Sequence, residues 1–326
     1  MANVGSNSAD DNTALGYRAL ASVTTGDDNV AVGSYALEDA TTAGDNVAIG
    51  QYAMGNRVSG SNNIAIGADA LYTSVGSTYN IAIGPFAGYS ITTGGSGNVF
   101  MGYKAGYANK TQGSAIAIGY EAMGGTAGTN EGSGIAIGYR AMYEGTDGNS
   151  GTIVGNSAGQ YLQGIDATYI GREAGRFATG SYNTFVGANA GKGTNSAPYA
   201  SGNSNTVMGY NALSAFTTGH SNVAIGYQAG QSITTAHENT IVGYQAGQNV
   251  TTADNNVIMG FQAGQSLTTA RYNVLIGDGA GMNLTAANDN NENVFIGNSA
   301  GRMADNDEDG VNQGATDNVY IGSGAG

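Results

Sequence analysis

Residues 222–270 read NVAIGYQAGQSITTAHENTIVGYQAGQNVTTADNNVIMGFQAGQSLTTA, which is nearly one phrase written three times at a spacing of seventeen residues. Each pass has an Asn, a triplet of the apolar–any–apolar kind with Thr240 in the first place of the second pass, a Gly, two variable residues and an Ala, then a polar stretch ending in a Thr pair. Alternation over so few positions suits a very short strand, and the Gly that follows marks a tight corner. Working outward from this stretch, the same unit recurs from Gly16 to Gly322. There are eighteen such anchor glycines; ten of the seventeen intervals are 17 residues and the others run from 16 to 25. Paired-helix repeats need a longer period, whereas one turn of a parallel β-solenoid fits seventeen residues. The expected fold is therefore all-β, a β-solenoid (β-roll) of about eighteen coils. Coils stacked at about 4.8 Å would make a rod of roughly 85 Å. Residues 1–11 read as a leader and 12–326 as one repeat array, with longer loops near 193–203, 284–293 and 303–317.

Composition agrees with that architecture and removes several functions. Gly supplies 56 of 326 residues, against a usual share of about 7%. Trp and Cys are absent, Pro occurs twice and only 10% of residues are charged, so disulfides and long charged helical faces are excluded. A net charge of −14 with only ten Lys and Arg argues against nucleic acid and against anionic membranes. The opening MANVGSNSADDNTALG carries neither a basic nor an apolar signal-peptide region, and no apolar run reaches the roughly 20 residues of a membrane span.

Each column of the repeat has a physical reading. The first and third triplet residues, such as Val47 and Ile49, are expected to fill the coil interior, with Thr in the first place in six units. The Ala three residues after each anchor Gly is present in every unit, which points to a crowded corner that Leu would overpack. The Asn before the triplet recurs in fourteen units and is expected to form an amide ladder along the stack. On this reading the middle triplet residue faces outward, yet it is never charged. Ala48, Ala65, Ala82, Phe100, Ile153, Tyr169, Phe185, Ile241, Ile258, Leu275, Phe295 and Tyr320 would then form an apolar stripe too large for a lone monomer, hence a seam between copies.

At NVAIG and NIAIG, with a small residue three positions on, the sequence resembles the SVAIG-x-x-A head repeats of trimeric autotransporter adhesins. The longer NVAIGYQAGQSITTA is similar to repeat arrays of phage tail-fibre proteins. The resemblance covers about residues 12–326 and implies a homotrimeric β-roll with self, other tail or appendage proteins and a cell-surface glycan or receptor as partners. It departs from the adhesin heads in its period of seventeen, and no neck, stalk, anchor or chaperone segment is recognisable. The absence of a secretion signal fits a virion tail fibre released by lysis, or another extracellular rod, better than an exported adhesin.

No Ser/His/Asp set, nucleotide loop or metalloprotease motif is present, and two histidines leave little for acid–base chemistry, so an enzyme is not expected. No cofactor is implied. Three candidate sites stand beside plainer readings. Asp305, Asp307 and Asp309 precede Gly310 in a D-x-D-x-D-G order that calcium loops use, although the position of the bidentate Glu is Thr316; the alternative is a solvated acidic loop. His220 and His237 lie one period apart, followed in the same column by Asp254 and Arg271, and would sit one above the other as transition-metal ligands or as polar turn residues. Tyr103, Tyr120, Tyr139, Tyr210, Tyr227 and Tyr244, continued by Phe261, follow their anchor glycines and align either as a sugar-stacking row or as a packing ladder. The expected role is a structural and host-attachment rod. The alternatives are a self-assembling extracellular filament or surface-layer protein and, as a minor one, an ice-binding solenoid.

Overall fold

A computed structural model describes residues 9–56, 59–74, 76–91, 94–107, 113–125, 133–145, 150–196, 198–284, 291–302 and 316–326. The described residues contain eighteen parallel strands and no helix, and the chain divides into two compact units, Met1–Tyr161 and Leu162–Gly326. The first unit holds β1 (Thr13–Leu15), β2 (Val30–Val32), β3 (Val47–Ile49), β4 (Ile64–Ile66), β5 (Ile81–Ile83), β6 (Val99–Met101), β7 (Ile116–Ile118), β8 (Ile135–Ile137) and β9 (Thr152–Val154). The second holds β10 (Thr168–Ile170), β11 (Thr184–Val186), β12 (Thr206–Met208), β13 (Val223–Ile225), β14 (Thr240–Val242), β15 (Val257–Met259), β16 (Val274–Ile276), β17 (Val294–Ile296) and β18 (Val319–Ile321). Within each unit every strand pairs in parallel with the next in sequence, like residue against like, as Ala48 against Ala65 or Ile241 against Ile258. This is the solenoid that the seventeen-residue period predicts.

The anchor glycine is required on two grounds. Its φ lies far into positive territory, +136° at Gly50 and +141° at Gly243, where a side chain is strained. A Cβ there would also strike the backbone of the glycine one coil on, as at Gly50 against Gly67. The two other corners are turned by ordinary residues in the left-handed region, including Asp45, Tyr52 and Met54 at φ of 56°, 56° and 50°. Such residues normally disfavour that conformation by about 1–2 kcal/mol each. Neighbouring coils hold them there, because the Tyr52 N–H donates to Ser34 O at 3.0 Å and the Met54 N–H to Ala70 O at 2.9 Å.

Asparagine forms the expected ladder. The Asn46 backbone N–H and its Nδ2 both donate to Asn29 Oδ1, at 3.1 and 3.0 Å, while Nδ2 also reaches Gly60 O at 3.1 Å. The pattern repeats through Asn222, Asn239 and Asn256, all buried, so an amide that would be costly alone is satisfied by the copy above and the copy below. Where Ala115 interrupts the column, its N–H still donates to Asn98 Oδ1 at 2.9 Å.

The faces of the strand are the reverse of the sequence expectation. Ala48, Ala65, Ala82, Phe100, Ile153, Tyr169, Phe185, Ile241, Ile258, Leu275 and Phe295 are fully buried inside the single chain, and Tyr320 in the last strand is half-buried. These residues are core, not a seam. The outward residues are the flanking pair, such as Ile64 and Ile66 or Thr206 and Met208. Alternation divides a strand into two sets without saying which is inside, and here both sets are apolar.

Interior volume is shared between the middle triplet residue and the residue six positions later. Ala48 is followed by Met54, Ala65 by Leu71 and Ala117 by Met123, all buried. Phe100 is followed by Gly106, Tyr169 by Gly175, Phe185 by Gly191 and Phe295 by Gly301, and a Cβ on any of these glycines would land on the preceding ring. Where both places are small, as at Ala224 and Gly230, Ile233 fills the space. Close packing of the coil explains the trade. Burial also raises the Tyr169 phenol far above its ordinary range, so it stays neutral.

Candidate functional site

Three kinds of outward surface result from this coil. The first is the strand face itself. Its two columns come from the first and third triplet residues, which are β-branched, Leu or Met in every unit and never charged. Ile66 is 37% exposed in the first unit and Met208 50% in the second. Because the ladder pairs like positions, these residues line up as two parallel uncharged stripes along each unit, the third-position one wholly apolar and the first-position one interrupted by Thr at 168, 184, 206 and 240 in the second unit. The sequence announces the stripes, but as interior residues.

The second surface is the aromatic row one residue after the anchor glycine. In the first unit Tyr103, Tyr120 and Tyr139 stack with ring centroids 5.1 and 5.5 Å apart. In the second unit Tyr210, Tyr227, Tyr244 and Phe261 stack at 5.5, 5.0 and 5.2 Å, with ring planes within 14° of parallel. Both rows form as the spacing predicts. Each inner ring has its faces covered by its neighbours, so what turns outward is ring edges and hydroxyls rather than flat platforms for sugar stacking.

Different residues flank the two rows. In the first unit the next position holds charge: Lys104 Nζ lies 5.4 Å from the Tyr103 ring, and Arg140 packs over Tyr139 and Tyr143 while pairing with Glu121 at 2.7 Å. The hydrogen bond that Arg140 Nε donates to the Glu121 carboxylate raises the Arg140 guanidinium above its ordinary value, against a lesser opposing effect of burial. In the second unit the same position holds Gln228, Gln245 and Gln262, and three residues on lie Gln231, Gln248 and Gln265. Gln245 Nε2 donates to Gln228 Oε1 at 2.9 Å, Gln262 Nε2 to Gln245 Oε1 at 3.0 Å, and Gln248 Nε2 to both Gln228 and Gln231 at 3.1 and 3.2 Å. Gln265 Nε2 completes the lattice on Gln245 and Gln248 at 3.2 and 3.1 Å. This glutamine lattice was missed from sequence, although its signal was the recurrent YQAGQ and FQAGQ.

The first unit has a further aromatic column that sequence reading also missed, in which Tyr35 and Tyr52 stack at 4.6 Å and Tyr72, Tyr89 and Tyr107 at 5.3 and 5.2 Å. Its members shift from the second to the fifth position after the glycine, which hid the alignment. Burial and the neighbouring Tyr107 raise the Tyr89 phenol above its ordinary value.

The polar candidates fare unevenly. His220 and His237 do stack, with centroids 4.9 Å apart and planes within 3°. Equivalent nitrogens at that separation are too far apart to share a metal through bonds of about 2.1 Å. His237 Nδ1 instead pairs with the buried Asp254 at 2.9 Å, and Arg271 reaches the same carboxylate at 3.3 Å. Among the described residues no group of three or more His, Cys, Asp or Glu could hold a metal ion. Asp305, Asp307 and Asp309 lie outside the described residues. The part of the 193–203 loop that is described packs on its own unit: Tyr199 stacks on Phe177 at 5.7 Å, and Ala178 bridges to Ala200.

No family model, curated protein or solved structure matches the chain. Among the described residues no helix is long and apolar enough to cross a membrane.

Proposed function

We propose that the protein is a non-enzymatic structural and host-attachment rod of the tail-fibre type, in which three copies associate along their strand faces and present the remaining coil surfaces to a cell-surface glycan. One observation carries the reading: the exposed strand face of each unit is two continuous, uncharged columns of β-branched residues, Leu and Met, with Ile64 and Ile66 both exposed on β4. An apolar stripe of that length is unusual on a solitary soluble chain and is the chemistry of an interface between copies. Support also comes from the resemblance of NVAIG-x-x-A to tail-fibre and adhesin repeats, and from a backbone bonded coil to coil that suits a stiff spacer. The seam differs from the one that sequence alone suggested; it uses Ile66 rather than Ala65.

Mass in solution tests the proposal. The wild-type chain is expected at three times 32.6 kDa. Ile66→Asp combined with Ile276→Asp, one outward residue in each unit, should give a monomer with unchanged β-sheet circular dichroism. A monomeric wild-type chain would overturn the reading.

A further inference from the structure

We infer that the Tyr–Gln face of the second unit is a binding strip for a neutral, linear, extended β-linked polysaccharide running along the coil axis. The inference rests on the attachment reading above and assigns its ligand class and place. Four features support it.

Register comes first. The phenol and amide groups repeat at ring spacings of 5.0–5.5 Å, close to the advance of one sugar residue in an extended β-1,4-linked chain. A glycan laid along the axis therefore meets one Tyr–Gln rung per sugar, with successive sugars turning opposite edges to the strip, whereas a helical α-linked glycan would leave the strip after one or two.

Unused hydrogen-bonding capacity is the second. Each side-chain amide has two N–H groups. Gln245 and Gln262 each use one in the lattice, so one per rung remains for a ligand. Among the described residues the Tyr210, Tyr227 and Tyr244 hydroxyls have no protein partner, and all three rings are more than 40% exposed. Phenol and amide side by side both donate and accept, which suits vicinal sugar hydroxyls.

Preorganisation is the third. Gln245 and Gln248 are held by hydrogen bonds to the coils on either side and the outer glutamines to one coil each, and the rings are held by stacking. Binding would therefore freeze few rotamers, a large part of the usual cost of recognising a flexible polar ligand.

Charge is the fourth. The stretch from Tyr210 to Phe261, with its six glutamines, carries no charged residue in the row or the two glutamine columns, although Asp278 follows Phe261 in the row one coil on; the chain as a whole is at −14, which selects against acidic glycans. The equivalent row of the first unit lacks this chemistry because Lys104, Glu121 and Arg140 occupy the glutamine position and are engaged with each other and with the rings.

Titration calorimetry of the full chain with cellohexaose, chitohexaose and maltohexaose tests the inference. Cellohexaose or chitohexaose should bind, and the α-linked maltohexaose should not. Gln245→Glu with Gln248→Glu should weaken binding at least tenfold, and Glu121→Gln in the first unit should leave it unchanged. If the double variant misfolds by circular dichroism, Gln262→Glu near the edge of the lattice replaces it with the same expected loss. Failure of both β-linked hexamers to bind, equal binding of maltohexaose, or undiminished binding by a folded glutamine variant would each overturn the strip. None of these outcomes bears on the trimer, which is decided by mass. A wild-type chain that attaches to cells as well as its glutamine variants do would remove the strip and leave attachment standing.

Discussion

In the first unit the middle triplet residue is Ala in seven of nine strands, whereas in the second it is Ala in one of nine and otherwise Val, Ile, Leu, Phe or Tyr. The backbone of the coil is the same in both. What changes is which wall of the coil carries the bulk: Leu and Met at the far corner in the first unit, the strand in most of the second. The difference teaches that a coil interior has nearly fixed volume and that the repeat tolerates either way of filling it, provided the two positions six residues apart are chosen together. The far corner accepts either residue because its φ is nearly constant, 48° at Leu37 and 48° at Leu213 beside 52° at Gly191.

The sharpest way to break the comparison is to convert one kind of coil into the other. Phe185→Ala should cost about 3–5 kcal/mol by chemical denaturation, the usual range for emptying a buried aromatic site. Adding Gly191→Leu should recover most of that loss by rebuilding the arrangement of Ala65 and Leu71, whereas Gly191→Leu alone should destabilise by overpacking against the Phe185 ring. A double variant no more stable than Phe185→Ala would show that the pairing is incidental.

A smaller effect concerns the amide ladder, continuous from Asn183 to Asn318 in the second unit and interrupted at Ala115, Gly134 and Gly151 in the first. Asn239→Ala removes the acceptor for the Asn256 N–H and Nδ2, both buried, and should cost about 1–3 kcal/mol. Ala115→Asn in the first unit should go the other way by about 1 kcal/mol or less, since the N–H half of that rung is already made. Thermal melts of the two variants read both signs.

The smallest effect lies in the second unit's charge cluster. Burial pushes the Glu173 carboxyl up, but the hydrogen bond and charge of Lys192, with Arg176 and Arg172, outweigh it and hold the group below its ordinary value. A carboxylate lowered on folding contributes stability above its unfolded value and loses it as pH falls through the folded one. The cluster is partly exposed, so Glu173→Gln should cost only about 0.2–1 kcal/mol at neutral pH. Wild type and variant should converge as pH falls below the ordinary carboxylate range and Glu173 takes up its proton.

Much of the fold was legible because its determinants are local. Each strand is the apolar–any–apolar triplet, each corner the Gly that follows, and each ladder an Asn one period from the last. The inside and outside of the strand were not legible from alternation, since Val47 and Ile49 are as apolar as any core residue. The missing clue was the compensation between Phe100 and Gly106 or Ala65 and Leu71, because only residues that share a closed interior need to balance volume. The aromatic rows could be read because they keep one phase, whereas the Tyr35 to Tyr107 column changes phase between coils and could not. The calcium motif lies outside the described residues, and each of the three longer loops lies partly outside them.

Within each unit most backbone hydrogen bonds run from a coil to the coils on either side of it, as Tyr52 to Ser34 and Met54 to Ala70 show. Under tension such a stack should yield one layer at a time rather than all at once, each event freeing a single period of about 17 residues. At full extension that is about 60 Å of slack per event. A fibre made this way would lengthen in small, evenly sized increments and dissipate a sudden pull while most of its layers stayed intact.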